Sequence, residues 1–111
     1  MTTILYLYLF AGLLLVGLSI PLILKKIKPN ALYGFRVQQT LDDPSIWYAV
    51  NAYSGKWLLT AGIATIVAAG GFYLIPGISL DAYALACLGV VGTLLVIGFV
   101  QSLRYMKKVS G

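Results

Sequence analysis

The sequence predicts an all-α integral membrane protein, with three transmembrane helices and an interfacial or cytoplasmic helix preceding the second span. Three observations lead there. Of 111 residues, 60% are apolar and only 10% charged, with a mean hydropathy of +0.93, whereas soluble domains carry roughly 25% charged residues. Three stretches, residues 4–24, 57–75 and 82–103, hold no charged side chain at all. At 1.5 Å per residue each reaches roughly 28–33 Å, enough to cross a hydrocarbon core of about 30 Å. Finally, all eight basic residues fall in two places, the 25–56 connection and the tail after residue 103. Residues 1–111 are read as one membrane domain.

The first span resembles a secretory signal only superficially. Met1-Thr2-Thr3 carries no positive charge, and the apolar run exceeds the 7–15 residues of a signal core. Lys25, Lys26 and Lys28 follow it, an order that holds the following connection inside the cell. With Arg36 and Lys56 in the same connection, and Arg104, Lys107 and Lys108 in the tail, the basic side is expected to face the cytoplasm and an anionic inner leaflet. The amino terminus is then outside and the carboxyl terminus inside, in a multi-pass bacterial plasma-membrane protein. Topology therefore accounts for the net charge of +5, and no nucleic-acid partner is implied.

Lys28-Pro29-Asn30 is expected to close the first helix, because proline cannot continue it. Thr40-Leu41-Asp42-Asp43-Pro44 reads as a helix start, with Asp43 as cap and Pro44 in the first turn. From Pro44 the chain can stay helical through Lys56 and into the second span. Pro76-Gly77 ends that span in a turn, and Ser79 or Asp81 can cap the third helix. Tyr6, Tyr8, Tyr73, Tyr83 and Tyr105 lie near the span ends, where amphipathic rings anchor.

In lipid, helices associate where small residues let backbones approach. Ala61, Thr65 and Ala69 of the second span are expected to meet Ala82, Ala86, Gly89 and Thr93 of the third. The first span, with Ala11, Gly12 and Gly17 but no GxxxG, gives a weaker signal. The same faces can also join two copies, so a homo-oligomer is open.

No ionisable residue lies within any span, which argues against proton-coupled export. Ser19, Thr60, Thr65 and Thr93 are expected to bond back to their own helix carbonyls. Cys87 reads as a small apolar filler. Without histidine and with one cysteine, the usual zinc and iron ligand sets are lacking. No metal, cofactor or catalytic residue is assigned. Asp42 and Asp43 are neighbours with no base or metal partner, so capping explains them better than acid–base chemistry. An enzyme acting on a headgroup phosphate through Arg36 would lack a nucleophile.

The information sits in residues 25–56, too long for a simple turn. Trp47, Asn51 and Gly55 recur at i, i+4, i+8 and so share one helix face. Their natural partner is Tyr33-Gly34-Phe35-Arg36, whose guanidinium can reach a helix carbonyl, Asn51 or Asp42. One reading has this helix lying at the headgroups, with Trp47 and Tyr48 as interfacial anchors. The other makes Asn30, Arg36, Asn51 and Lys56 a polar cytoplasmic site.

Taken together, Pro29, Asn30, Gly34, Arg36, Thr40, Trp47, Asn51 and Gly55 form a pattern that resembles the SdpI family, named for a bacterial immunity protein against a sporulation-delaying toxin. The likeness spans about residues 20–75, with a third span following. It implies an α-helical bacterial plasma-membrane protein, and the lack of a nucleophile or base argues separately that the chain is not an enzyme. Such a protein would bind a partner, a peptide toxin or another membrane protein, in immunity against or response to a membrane-active peptide. A small transporter or a lipid- or quinone-binding subunit is the alternative, for which a deep cavity between helices would speak.

Overall fold

Residues 2–30, 34 and 41–110 are described by a computed structural model. They form three long helices: α1, Thr2–Ile23; α2, Pro44–Tyr73; and α3, Leu80–Ser110. All three are long and apolar enough to cross a membrane. The spans at 4–24, 57–75 and 82–103 fall on these helices. α2 lies in the middle and packs against both neighbours. Phe10, Val67, Leu85 and Val96 are each more than 60% exposed. Hydrocarbon, not water, is the solvent that such a surface matches.

The 30 residues of α2 run about 45 Å and those of α3 about as far, roughly 15 Å more than a hydrocarbon core. The surplus lies at one end, where the first turns of α2 meet the last turns of α3 and the basic residues collect. Among the described residues, no separate interfacial helix stands ahead of the second span. Residues 44–56 and the second span are one continuous helix, since no residue between Pro44 and Lys56 breaks helical hydrogen bonding.

Local chemistry fixes the helix ends. Asp43 is extended at φ −132° and caps α2, accepting from the Ser45 amide at 3.0 Å and the Ser45 hydroxyl at 2.8 Å. Those bonds favour the charged carboxylate and hold its pKa below the usual value. Ser79 caps α3, its hydroxyl oxygen accepting from the Ala82 amide at 3.1 Å. α1 runs through Pro21 and stops earlier than the Lys28-Pro29-Asn30 signal. Lys26 N–H donates to Pro21 O at 3.0 Å and Lys25 N–H to Leu22 O at 3.2 Å, with Lys25 left-handed at φ 60°. Glycine usually takes this place in the motif, because a Cβ there costs about 1 kcal/mol. Lys25→Gly is therefore expected to raise the unfolding midpoint and Lys25→Val to lower it, measured by circular dichroism in detergent. The reverse order would refute the left-handed stop.

α2 packs through the face expected of it, but α3 meets it on a different one. α1 and α2 cross with backbones touching: a Cβ on Gly62 would stand 2.7 Å from Gly12 O, and one on Gly12 would stand 2.8 Å from Gly62 O. Ala61, Thr65 and Ala69 are buried, as expected of a packing face. Of the third span's small residues, however, Ala82, Gly89 and Thr93 are exposed. α3 instead turns Tyr83, Cys87, Gly98, Ser102 and Met106 inward. A Cβ on Gly98 would lie 2.8 Å from Trp57 Cβ. Shape decides here: bulky Trp57 finds its space over Gly98, and Tyr83 fills the gap beside Ala69.

Two tyrosines near the span ends are packing groups, not interfacial anchors. Tyr83 is fully buried, with its hydroxyl donating to Ala69 O at 2.7 Å, and the Tyr8 hydroxyl donates to Ala84 O at 2.9 Å. Each satisfies a polar tip by reaching a neighbouring helix. Tyr105 stacks on Tyr53 with ring centroids 4.3 Å apart. Three of the four span hydroxyls bond back as the sequence suggests: Ser19, Thr60 and Thr65 donate to the Val16, Lys56 and Ala61 carbonyls.

Candidate functional site

The i, i+4, i+8 stripe of α2 is buried along its whole length. Trp47 has no exposed surface, Asn51 is 2% exposed, and Gly55 is buried. Trp47 is therefore no interfacial anchor. Its indole N–H donates to Ile27 O at 2.8 Å, tying the segment after α1 to the first turns of α2. An indole placed in a dry contact needs such a partner.

Asn51 holds the middle of the stripe. Its side-chain amide donates to Trp47 O at 3.0 Å within the helix, and no buried side-chain nitrogen or oxygen among the described residues lacks a partner. Gly34 lies against it. A Cβ at Gly34 would stand 2.7 Å from Asn51 Oδ1 and 3.2 Å from Trp47 Cη2. Its φ of +109° is one that residues with side chains rarely adopt. Gly34 is glycine for two independent reasons, backbone angle and space.

Gly55 serves a different contact from the one expected. It faces α1, not the segment around Gly34: a Cβ there would meet Ile23 Cγ1 at 2.9 Å and Ser19 O at 3.1 Å. Pro29 and Asn30 are half-buried, and the Asn30 side-chain amide donates to Lys28 O at 2.8 Å across a bend in the chain. Of the eight motif positions, Gly34, Trp47 and Asn51 thus touch one another. Gly55 extends the same face onto α1, and Pro29 with Asn30 shapes the chain between. Arg36 and Thr40 lie outside the described residues, as do Tyr33 and Phe35. Lys56 points into the exposed surface.

Two further features were not read from the sequence. Next to the stripe, Val50 packs on Met106 with Ile46, Leu103 and Tyr105 around them. This cluster joins the protruding ends of α2 and α3. Its only sequence signal is the surplus length of those helices beyond the charge-free runs. The other feature is an apolar cleft of about 280 Å³ between α1 and α3. Leu15, Leu18 and Leu22 form one wall, Leu94, Leu95 and Phe99 the other, with Trp57 between and Gly34 at the basic end. Single-helix patterns carry no trace of it, because it arises from how two helices diverge.

The arrangement is a buried indole and carboxamide set against a glycine, with exposed lysines at 25, 26, 28 and 56 in the flanking sequence. That suits recognition and packing.

A family model described as the SdpI/YfhL protein family matches residues 26–102, more than two thirds of the chain. The matched region begins at the end of α1 and contains the whole buried stripe. No curated protein matches, and no solved structure matches.

Proposed function

Because the chain belongs to the SdpI/YfhL protein family, we propose that this multi-pass membrane protein binds a partner at its basic end, in immunity against or response to a membrane-active peptide toxin. The observation that carries the reading is the joining of the motif residues: Gly34, Trp47 and Asn51 pack together where the connection folds back on α2. A motif that served only to cross lipid would not need a left-handed glycine set against a buried amide.

The basic end faces the cytoplasm in this reading, with the amino terminus outside. Lys25, Lys26, Lys28, Lys56, Arg104, Lys107 and Lys108 gather there, next to anionic lipid. The first turns of α2 stand at headgroup level, where the sequence places an interfacial or cytoplasmic helix. The protein acts by binding, without catalysis, and its partner is a peptide toxin, another membrane protein or a second copy.

The test is expression in a sensitive bacterium followed by challenge with membrane-active peptides from related producers. Protection by the wild type is expected, reduced much more by Arg36→Ala than by Lys107→Ala at matched membrane levels. Absence of protection against every such peptide removes the immunity role. Equal performance of the two variants removes Arg36 from the site.

The cleft between α1 and α3 favours a second reading, that of a subunit binding a small apolar ligand. Its volume of about 280 Å³ lies near the lower end of ligand pockets, which run from about 300 Å³ upward.

A further inference from the structure

Building on that second reading, we infer that the cleft between α1 and α3 is a seat for one acyl chain of an anionic phospholipid, whose headgroup rests among the lysines of the basic end. The geometry is a wedge. At the far end α1 and α3 are drawn together, with the Tyr8 hydroxyl donating to Ala84 O at 2.9 Å and Tyr8 packed on the Ala69–Tyr83–Cys87 cluster. Toward the basic end the two helices part, and the space between them is walled by leucines and Phe99. From Leu15 to Leu22 the wall rises about 10 Å along α1, the length of a good part of an acyl chain.

The wedge opens toward positive charge. Lys25 and Lys26 follow Leu22 at the end of α1, Lys56 precedes Trp57, and Arg104 lies five residues beyond Phe99. All four are exposed. A chain inserted from that leaflet places its phosphate among them, and each basic residue near the surface favours an anionic headgroup over a zwitterionic one. The apolar walls exclude a soluble anion, and an apolar gap inside a bilayer is filled by what surrounds it.

The chain's two tryptophans report on this. Trp57 lines the cleft, whereas Trp47 has no exposed surface. Bromine on an acyl chain quenches tryptophan by contact. In zwitterionic nanodiscs doped with brominated lipid, Trp57 is expected to reach half-maximal quenching at about tenfold lower mole fraction of phosphatidylglycerol than of phosphatidylcholine. Native mass spectrometry from mild detergent is expected to show one retained anionic lipid, lost in both Leu95→Trp and Leu15→Trp, which fill the cleft from opposite walls. Superimposed quenching curves would overturn the headgroup preference even if some neutral lipid is retained. Retention of the lipid in both filled variants would place it elsewhere and overturn the site. A wild type that retains no lipid of either class would overturn the inference together with the apolar-ligand reading, while leaving the toxin assay to stand or fall on its own.

Discussion

Gly62→Leu is expected to detach α1 from α2 while leaving every helix inserted. A Cβ at this position meets Gly12 O at 2.7 Å, Val16 Cγ2 at 2.8 Å and the Val16 amide nitrogen at 3.0 Å. Two of these three atoms are backbone and cannot swing aside, so the helices must move apart. Overpacking of a flexible core costs about 1–3 kcal/mol. A clash with backbone sits at the top of that range. In lipid there is no hydrophobic penalty for the separated helices to draw them back together. The expected result is a large fall in the unfolding midpoint on titration with a denaturing detergent, with helical content preserved. Gly70, also on α2, has open space around its Cβ position. Gly70→Leu is the control and should shift the midpoint little. Equal shifts for the two would mean that α1 and α2 do not cross at this point.

The second large effect is at Gly34. With φ at +109° and Asn51 Oδ1 only 2.7 Å from its Cβ position, Gly34→Val faces strain and collision together. A residue held in such a backbone region costs about 1–3 kcal/mol, and a β-branched side chain fits it worst. The expected outcome is a connection lifted from α2, with Trp47 gaining solvent exposure and its emission shifting to the red. The two causes can be separated. Shortening the neighbour with Asn51→Ala removes the collision but not the backbone strain, so Gly34→Ala/Asn51→Ala should lose less than the sum of the single variants, as contacting residues do. Strict additivity would show that Gly34 and Asn51 are not in contact.

These two glycines also mark what can and cannot be read along the chain. The three spans, the Asp43 and Ser79 caps, the Pro76–Gly77 turn and the shared face of Trp47, Asn51 and Gly55 all follow from local pattern, because charge, capping chemistry and helical period act over a few residues. Which faces pair is a different question. α2 carries small residues over about half its circumference, at Ala61, Gly62, Thr65, Ala69 and Gly70, so more than one face can accept a neighbour. Only the fit of particular bulky groups, Trp57 over Gly98 and Tyr83 beside Ala69, selects among them. α1 looked the weaker partner because Gly12 lacks a second glycine four residues on; its match, Gly62, is on the other helix. Trp47 and Tyr83 misled for a related reason. An amphipathic ring near a span end suits an interface, but it suits a dry contact equally well when a carbonyl is within reach, as Ile27 O and Ala69 O are. The site was legible as a set of residues and a helix stripe. Its left-handed glycine and the turn of Gly55 toward α1 are three-dimensional facts.

The buried stripe and its lysine-rich surroundings are expected to lie at the cytoplasmic surface. Single cysteines test this directly, because the native Cys87 is fully buried and the unaltered chain serves as the blank. Leu41 and Leu74 are exposed at opposite ends of the molecule. With a membrane-impermeant maleimide, Leu74→Cys is expected to label in intact cells and Leu41→Cys only after the cells are opened. Labelling of Leu41→Cys in intact cells would place the motif outside the cell and contradict the account.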